Sequence, residues 1–312
     1  MSRIVFNLEL RPMAIKIKRR KRYIFTAVLA VMVFIPSTLI AEAQHYSLLA
    51  HSPSSSADQQ KLGEINNQAA LTYLQDSKLA YSFYFDPLTN NALSAVQSGN
   101  PLRSASLLKL PEVMDLYRMS EDKIINLDQE ATIEPGWLNK TSGSLWMRGA
   151  GSQISLREAA RLALVDSDNT AANVVKFFVA QNFAGQDILN KLNTEIKVDK
   201  NGKAYTSASS YSSIFKCLYI SCYLSKDDSQ YILNEMTQTN FPGIRDGVPT
   251  GVLVAHKFGA TENSYADCGI IYYPNHPYIM CLMLGAKRPV ALPIMAKVSS
   301  IVYQAVAGAT AK

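Results

Sequence analysis

Between residues 61 and 75 apolar side chains recur at roughly helical spacing, with Leu62, Ile65, Ala69 and Leu71 to Leu74 predicting a first helix. The pattern then changes. Leu79-Ala80-Tyr81-Ser82-Phe83-Tyr84-Phe85 is apolar and aromatic throughout and predicts a strand, and Asp86-Pro87 and Asn90-Asn91 supply turn chemistry behind it. A second strand is expected over 92–97. From Ser106 the helical spacing returns and runs to about Met119, followed by a loop-rich stretch containing Pro135-Gly136 and Gly143. Ser155, with Glu158 three residues later, reads as a capping box opening a helix over 156–165. Further helices are predicted over 168–179, 186–192, 207–224 and 227–236. Strands follow over 253–258, 268–273 and 278–284, with Pro274-Asn275-His276-Pro277 turning between the last two, and a final helix covers 293–307. Strands, a run of helices, strands again and a helix make an α+β sheet interrupted by a helical insertion. The α/β part is expected over 61–100 and 240–312, and the helical part over 101–239. No internal repeat is visible.

The charge is unevenly spread. Eight of the 31 Lys and Arg and only one of the 25 Asp and Glu lie in residues 1–22, so that segment carries +7 of a net +6 and the remainder sums to −1. The basic balance therefore gives no argument for nucleic-acid binding. Behind the basic front, residues 23–41 are apolar and long enough to span a bilayer, and Ala41-Glu42-Ala43 fits a small-x-small cleavage site. Residues 1–43 are expected to be a signal peptide or a membrane anchor. Either way the basic side stays in the cytoplasm and the bulk is exported, secreted or held at the cytoplasmic membrane. Residues 44–60, rich in Ser, Gln and Ala, read as a tether to a domain over 61–312.

The 312 residues, nearly half of them apolar, suffice for a sizeable core. Of the four cysteines, Cys217 and Cys222 fall on one predicted helix, point in different directions and are not expected to pair. Cys268 and Cys281 sit on consecutive predicted strands, within reach of a disulfide; the plainer expectation is four buried thiols. No metal-ligand spacing appears, the four histidines are scattered, and nothing suggests a cofactor. A monomer is expected.

The chemistry lies in three short motifs and their order. Ser106-Leu107-Leu108-Lys109 is followed 61 residues later by Ser167-Asp168-Asn169 and 90 residues after that by Lys257-Phe258-Gly259. Ser106 at a helix start sits where backbone N–H groups favour negative charge. Lys109, three residues on, shares its face, and Leu107, Leu108, Leu110 and Val113 mark that helix as central, so Lys109 is expected to be buried and able to act as a base. Ser167 is placed to pass a proton to a leaving nitrogen, and Asn169 offers an amide to a substrate carbonyl. Lys257 lies on a strand, where Gly259 leaves room for the substrate backbone to approach the strand edge. Each motif alone reads equally as a cap or a strand end; the set in this order does not.

That set resembles the Ser-x-x-Lys, Ser-Asp-Asn and Lys-Thr-Gly signature of the class A β-lactamase and penicillin-binding protein superfamily. The likeness covers about residues 60–308 and includes Ser167-Asp168-Asn169-Thr170-Ala171-Ala172-Asn173 and Val254-Ala255-His256-Lys257. The resemblance implies an antiparallel five-stranded sheet flanked by N- and C-terminal helices beside an all-α region. It implies Ser106 as acylated nucleophile, Lys109 as its base, Ser167 as proton shuttle, Asn169 on the substrate amide and Lys257 supporting Ser167 and a substrate carboxylate. The N–H groups of Ser106 and Ala260 would form the oxyanion hole.

Two departures temper this. The Glu-x-x-Leu-Asn segment that activates the deacylating water in class A β-lactamases is missing; residues 193–202 stand in its place, with Glu195 and Asp199 the only nearby carboxylates. Phe258 occupies a position where a Thr or Ser hydroxyl would help bind a carboxylate, a bond phenylalanine cannot donate; Arg245, Lys287 and Arg288 are the candidate substitutes. The expected function is an exported serine hydrolase acting on D-Ala-D-Ala peptides of peptidoglycan or on β-lactams, with slow deacylation. A working β-lactamase and a catalytically weak wall-associated binding module are the alternatives.

Overall fold

The computed structural model describes residues 67–88, 96–182 and 187–310. The leader, the tether and the start of the first predicted helix lie outside the described residues, as does the Asn90-Asn91 turn. The main sheet comprises β1 (Tyr81–Asp86), β2 (Val96–Gly99), β8 (Val254–Ala260), β9 (Tyr265–Ile271) and β10 (Tyr278–Leu284), paired in the order β2-β1-β10-β9-β8. Every pairing is antiparallel. The last strand of this order, β8, is an edge.

The three C-terminal strands are buried almost throughout, polar His256, Lys257 and Asp267 included, because both faces of the sheet are covered. Helix α1 (Gln68–Asp76) and the C-terminal helix α8 (Arg288–Thr310) cover one face, burying Ala70, Leu74, Met295, Val298 and Val302 against Phe83, Met280 and Phe258. On the other face lie the helices of the insertion: α2 (Lys109–Glu121), α3 (Leu156–Val165), α4 (Asn169–Asn182), α5 (Ile188–Lys191), α6 (Ala208–Tyr219) and α7 (Lys226–Thr237). Ser155 Oγ caps α3 by accepting from Glu158 N.

The helix at Ser106 differs from expectation. Residues Ala105–Leu108 form a tight 3₁₀ turn, and the α-helix proper starts only at Lys109. Ala105 takes a left-handed φ of 45°, an unfavourable conformation for a residue with a Cβ, which lifts Ser106 out of the incoming strand. Short strands that periodicity did not reveal also appear: β3 (Leu102–Arg103), β4 (Glu130–Thr132), β5 (Gln153–Ser155), β6 (Lys197–Val198) and β7 (Ala204–Thr206). They pair as β3-β7-β6 and β4-β5, and two- or three-residue strands are too short to show alternation.

All four cysteines are disulfide-bonded. Cys268–Cys281 joins directly opposed residues of β9 and β10. Cys217–Cys222 overturns the expectation that these two do not pair. The helix predicted over 207–224 stops at Tyr219; Ser221 turns the chain with a φ of 55°, and Cys222 N donates to Cys217 O at 2.9 Å, folding Cys222 back onto its partner.

Candidate active site

Ser106 and Lys109 come from the turn and helix start below one wall of a cleft, Ser167 and Asn169 from the turn entering α4, and Lys257 and Gly259 from edge strand β8. Ser106 is partly exposed, whereas Lys109 and Ser167 are buried and Lys257 is wholly so.

Lys109 is the hub. Its Nζ donates to the Ser167 carbonyl, to Ser167 Oγ at 3.2 Å and to Asn169 Oδ1 at 2.7 Å. Two of the three motifs thereby meet in one ammonium. Ser167 presents both its carbonyl and its hydroxyl because its backbone is left-handed, with a φ of 51°. Burial, with the Lys176 charge adding to it, pushes the Lys109 ammonium down to about 8.

The turn entering α4 is fixed by Asp168. Its Oδ1 accepts from Ala171 N at 2.9 Å, an N-cap, and its Oδ2 accepts from Leu145 N at 2.8 Å. Gly143, with a φ of 80°, leaves room for that carboxylate; a Cβ there would sit 2.0 Å from Asp168 Oδ2. Asn169 Nδ2 donates to Thr141 Oγ1 at 2.6 Å, and Thr170 Oγ1 accepts from Asn139 N at 2.9 Å. Loop 139–145 is thus fastened to the Ser-Asp-Asn turn. Both ends of the Asn169 amide are engaged, one with Lys109 and one with Thr141.

The strand wall meets the Ser106 turn directly. A Cβ on Gly259 would lie 2.4 Å from Ser104 O and 3.2 Å from Ser106 N, so glycine is needed for the turn itself to approach the strand. This revises the expectation that the space was left for substrate. Ala260, exposed, is the last residue of β8 beyond this contact. Tyr211 of α6 holds the turn from behind, its hydroxyl donating to Leu107 O at 2.6 Å.

Lys257 reaches less far than its motif suggests. Its Nζ donates to Phe258 O at 3.3 Å and lies 4.6 Å over the Phe258 ring, and among the described residues it makes no hydrogen bond to Ser167. Burial, then the nearby Lys109 charge, pushes its ammonium well below the usual lysine range. Phe258 packs against Phe241, with ring centroids 4.0 Å apart, and stacks on Tyr265 at 6.0 Å.

The two carboxylates near the missing glutamate's place are engaged elsewhere. Asp199 Oδ1 accepts from Asn201 N and Lys203 N, each at 2.9 Å, and so caps the hairpin joining β6 to β7. Glu195 is exposed and pairs with Lys197 at 2.8 Å.

The matching family model, described as "Beta-lactamase enzyme family", spans residues 65–306. The chain belongs to this β-lactamase family. Among solved structures, PBP-A resembles it with a TM-score of 0.68 at 21% identity, covering 83% of this chain and 100% of that one. An L158E mutant of PBP-A, described as an acyl-enzyme complex with penicillin G, matches with the same score and identity over 83% of this chain and 99% of that one. A β-lactamase from Sphaerobacter thermophilus matches with a TM-score of 0.70 at 17% identity over 78% of this chain and 97% of that one. At such identities these structures share the fold. No curated protein matches this sequence.

Within the β-lactamase-family frame, Glu112, one turn beyond Lys109, is a residue that the motif reading missed. Its Oε1 lies 3.6 Å from Lys176 Nζ of α4, and its Oε2 is sealed from solvent without a hydrogen-bond partner, although the side chain as a whole is 24% exposed. Burial pushes this carboxyl up to about 7. The i,i+3 spacing from Lys109 was the available signal. Asn139 and Thr141 were also missed, because a loop residue is tied to the motif only by the fold.

Proposed function

We propose that this chain is an exported serine hydrolase that forms an acyl-enzyme at Ser106, with amide bonds of the β-lactam or D-Ala-D-Ala type as its chemical class. The observation carrying this reading is the bridge that Lys109 makes to Ser167 and Asn169 one turn from Ser106. In its neutral form Lys109 takes the Ser106 proton as Oγ bonds to the acyl carbon. The carbon–nitrogen bond then breaks, and the proton reaches the departing nitrogen through Ser167. The N–H groups of Ser106 and Ala260 stabilise the oxyanion. With Asp199 capping its own hairpin and Glu195 paired to Lys197, no carboxylate of that segment is free to activate a deacylating water, so the acyl-enzyme persists.

Export is part of the same proposal. The basic-apolar leader favours it, and two disulfides suit an oxidising compartment.

Intact mass spectrometry of the full chain, exposed to a fluorophosphonate and separately to a penicillin, tests this. An adduct on the wild type that is absent from Ser106→Ala supports the reading, and a penicillin adduct lasting minutes or longer supports slow deacylation. Rapid consumption of penicillin with no standing adduct would make the protein a working β-lactamase. No adduct with either probe would leave a binding module.

A further inference from the structure

Helices α2 and α4 meet along a seam that carries charges of alternating sign. Lys109 and Glu112 lie one turn apart on α2, and Asn169 and Lys176 lie two turns apart on α4, so each pair shares a face of its helix. Two links join these faces. Lys109 Nζ donates to Asn169 Oδ1 at 2.7 Å, and Lys176 Nζ stands 3.6 Å from Glu112 Oε1. Lys109 thus has an acid one turn along its own helix and a second ammonium paired to that acid from the facing helix.

The Glu112–Lys176 pair adds little to stability. The Lys176 side chain is 53% exposed, where an ion pair is screened by solvent. Glu112 Oε2 is sealed from solvent and has no hydrogen-bond partner among the described residues, which costs stability. What the pair supplies is fixed charge beside Lys109. Burial is the first cause driving the Lys109 ammonium down to about 8, the Lys176 charge is the second, and Asp168 and then Glu112 oppose them. Lys176 therefore outweighs Glu112 at Lys109. Glu112, pushed up to about 7 by burial, is mostly ionised where Lys109 titrates. The other titratable groups at this seam are Lys257 of β8, within electrostatic range of Lys109, and Tyr211 of α6 and Asp115 of α2, each within range of Glu112.

We propose that Lys176 is a positioning residue for acylation, its ammonium acting across the α2–α4 seam to keep Lys109 neutral while Glu112 holds that ammonium in place. Lys176, paired to Glu112, acts only through Lys109. The inference rests on Lys109 being the base that activates Ser106, and it makes a charge outside the three motifs the control of when that base is available. Because Lys176 is exposed, salt weakens the control.

The pH dependence of Ser106 modification decides this. With the full-length protein, the rate of fluorophosphonate adduct formation is followed by intact mass across pH for the wild type, Lys176→Met, Lys176→Arg and Glu112→Gln. Lys176→Met should raise the midpoint by about 0.5–1 pH unit, less than a close buried charge would give because Lys176 is exposed. The rate at pH 7 then falls by about 3- to 10-fold, while the rate on the high-pH plateau stays within about 2-fold. Lys176→Arg keeps the charge and should keep the wild-type midpoint. Glu112→Gln keeps an acceptor for Lys176 but not the negative charge, and should lower the midpoint. Raising salt from about 0.05 M to about 0.5 M should raise the wild-type midpoint toward that of Lys176→Met. A Lys176→Met midpoint at or below the wild-type value overturns the inference and leaves the acyl-enzyme reading intact. So does an equal rise in Lys176→Arg, or a lost plateau rate at an unmoved midpoint, which mark a structural role. Where a variant fails to fold, a wild-type midpoint indifferent to salt overturns it. Absence of any adduct on wild-type Ser106 removes the nucleophile, and this inference with it.

Discussion

The helical wall of the cleft and its strand wall are built on different terms. On the helical side, Lys109 donates to Ser167 and Asn169, Asn169 donates to Thr141, and Asp168 beside them accepts from Leu145 N. On the strand side, Lys257 has its own neighbour's carbonyl, and Phe258 lies in an aromatic cluster. The helical wall is thus a polar, hydrogen-bonded network. The strand wall carries a buried apolar residue, Phe258, in the middle of its Lys-x-Gly motif. The two walls meet where Gly259 packs on the Ser106 turn.

The sharpest way to break this comparison is to remove one lysine from each wall. Lys109→Met should slow acylation by roughly 10²–10⁴-fold, the usual range for a lost general base, and Lys257→Met by about 10-fold, both measured as adduct formation on Ser106. Reversal of that order would place proton handling on the strand. Next in size is the pH profile. Lys109 acts as a base only when neutral, and its pKa is lowered to about 8, so acylation should rise with pH and level off above that value. Between pH 6 and pH 8 the neutral fraction, and with it the rate, grows by roughly 50-fold. A midpoint near the usual lysine value would sink Lys109 as the base. The smallest effect concerns the contact between the walls. Gly259→Ala forces a methyl against Ser104 O and should cost about 1–3 kcal/mol, seen as a lowered thermal midpoint. An unchanged midpoint would mean that the turn yields and the walls are not rigidly joined.

How much of this was legible beforehand differs between the same two walls. Ser106, Lys109, Ser167 and Asn169 were readable because their spacing within each motif places them on one helix turn, and the apolar run around Lys109 foretold its burial. The sheet and the order of helices followed from apolar patterning. Reach and engagement were not legible. Nothing local says that Lys257 turns back to Phe258, that Asp267 lies across from Phe258, or that Asn139 and Thr141 hold Asn169, since those contacts span separate elements. The Cys217–Cys222 bond was missed for a different reason: helical periodicity was extended past Tyr219, where a left-handed Ser221 ends it.

The loop 139–145 merits a last consideration. Its backbone is buttoned to the Ser-Asp-Asn turn at Thr170, Asn169 and Asp168, yet Lys140, Met147 and Arg148 on and just beyond it face outward, with the Lys140 ammonium 5.1 Å from the Trp146 ring. The fasteners and the outward surface are different residues. This segment is therefore an interchangeable rim: its outer side chains can be diversified to retarget the protein toward a new molecule while Asn139, Thr141, Gly143 and Leu145 keep the reaction centre in place.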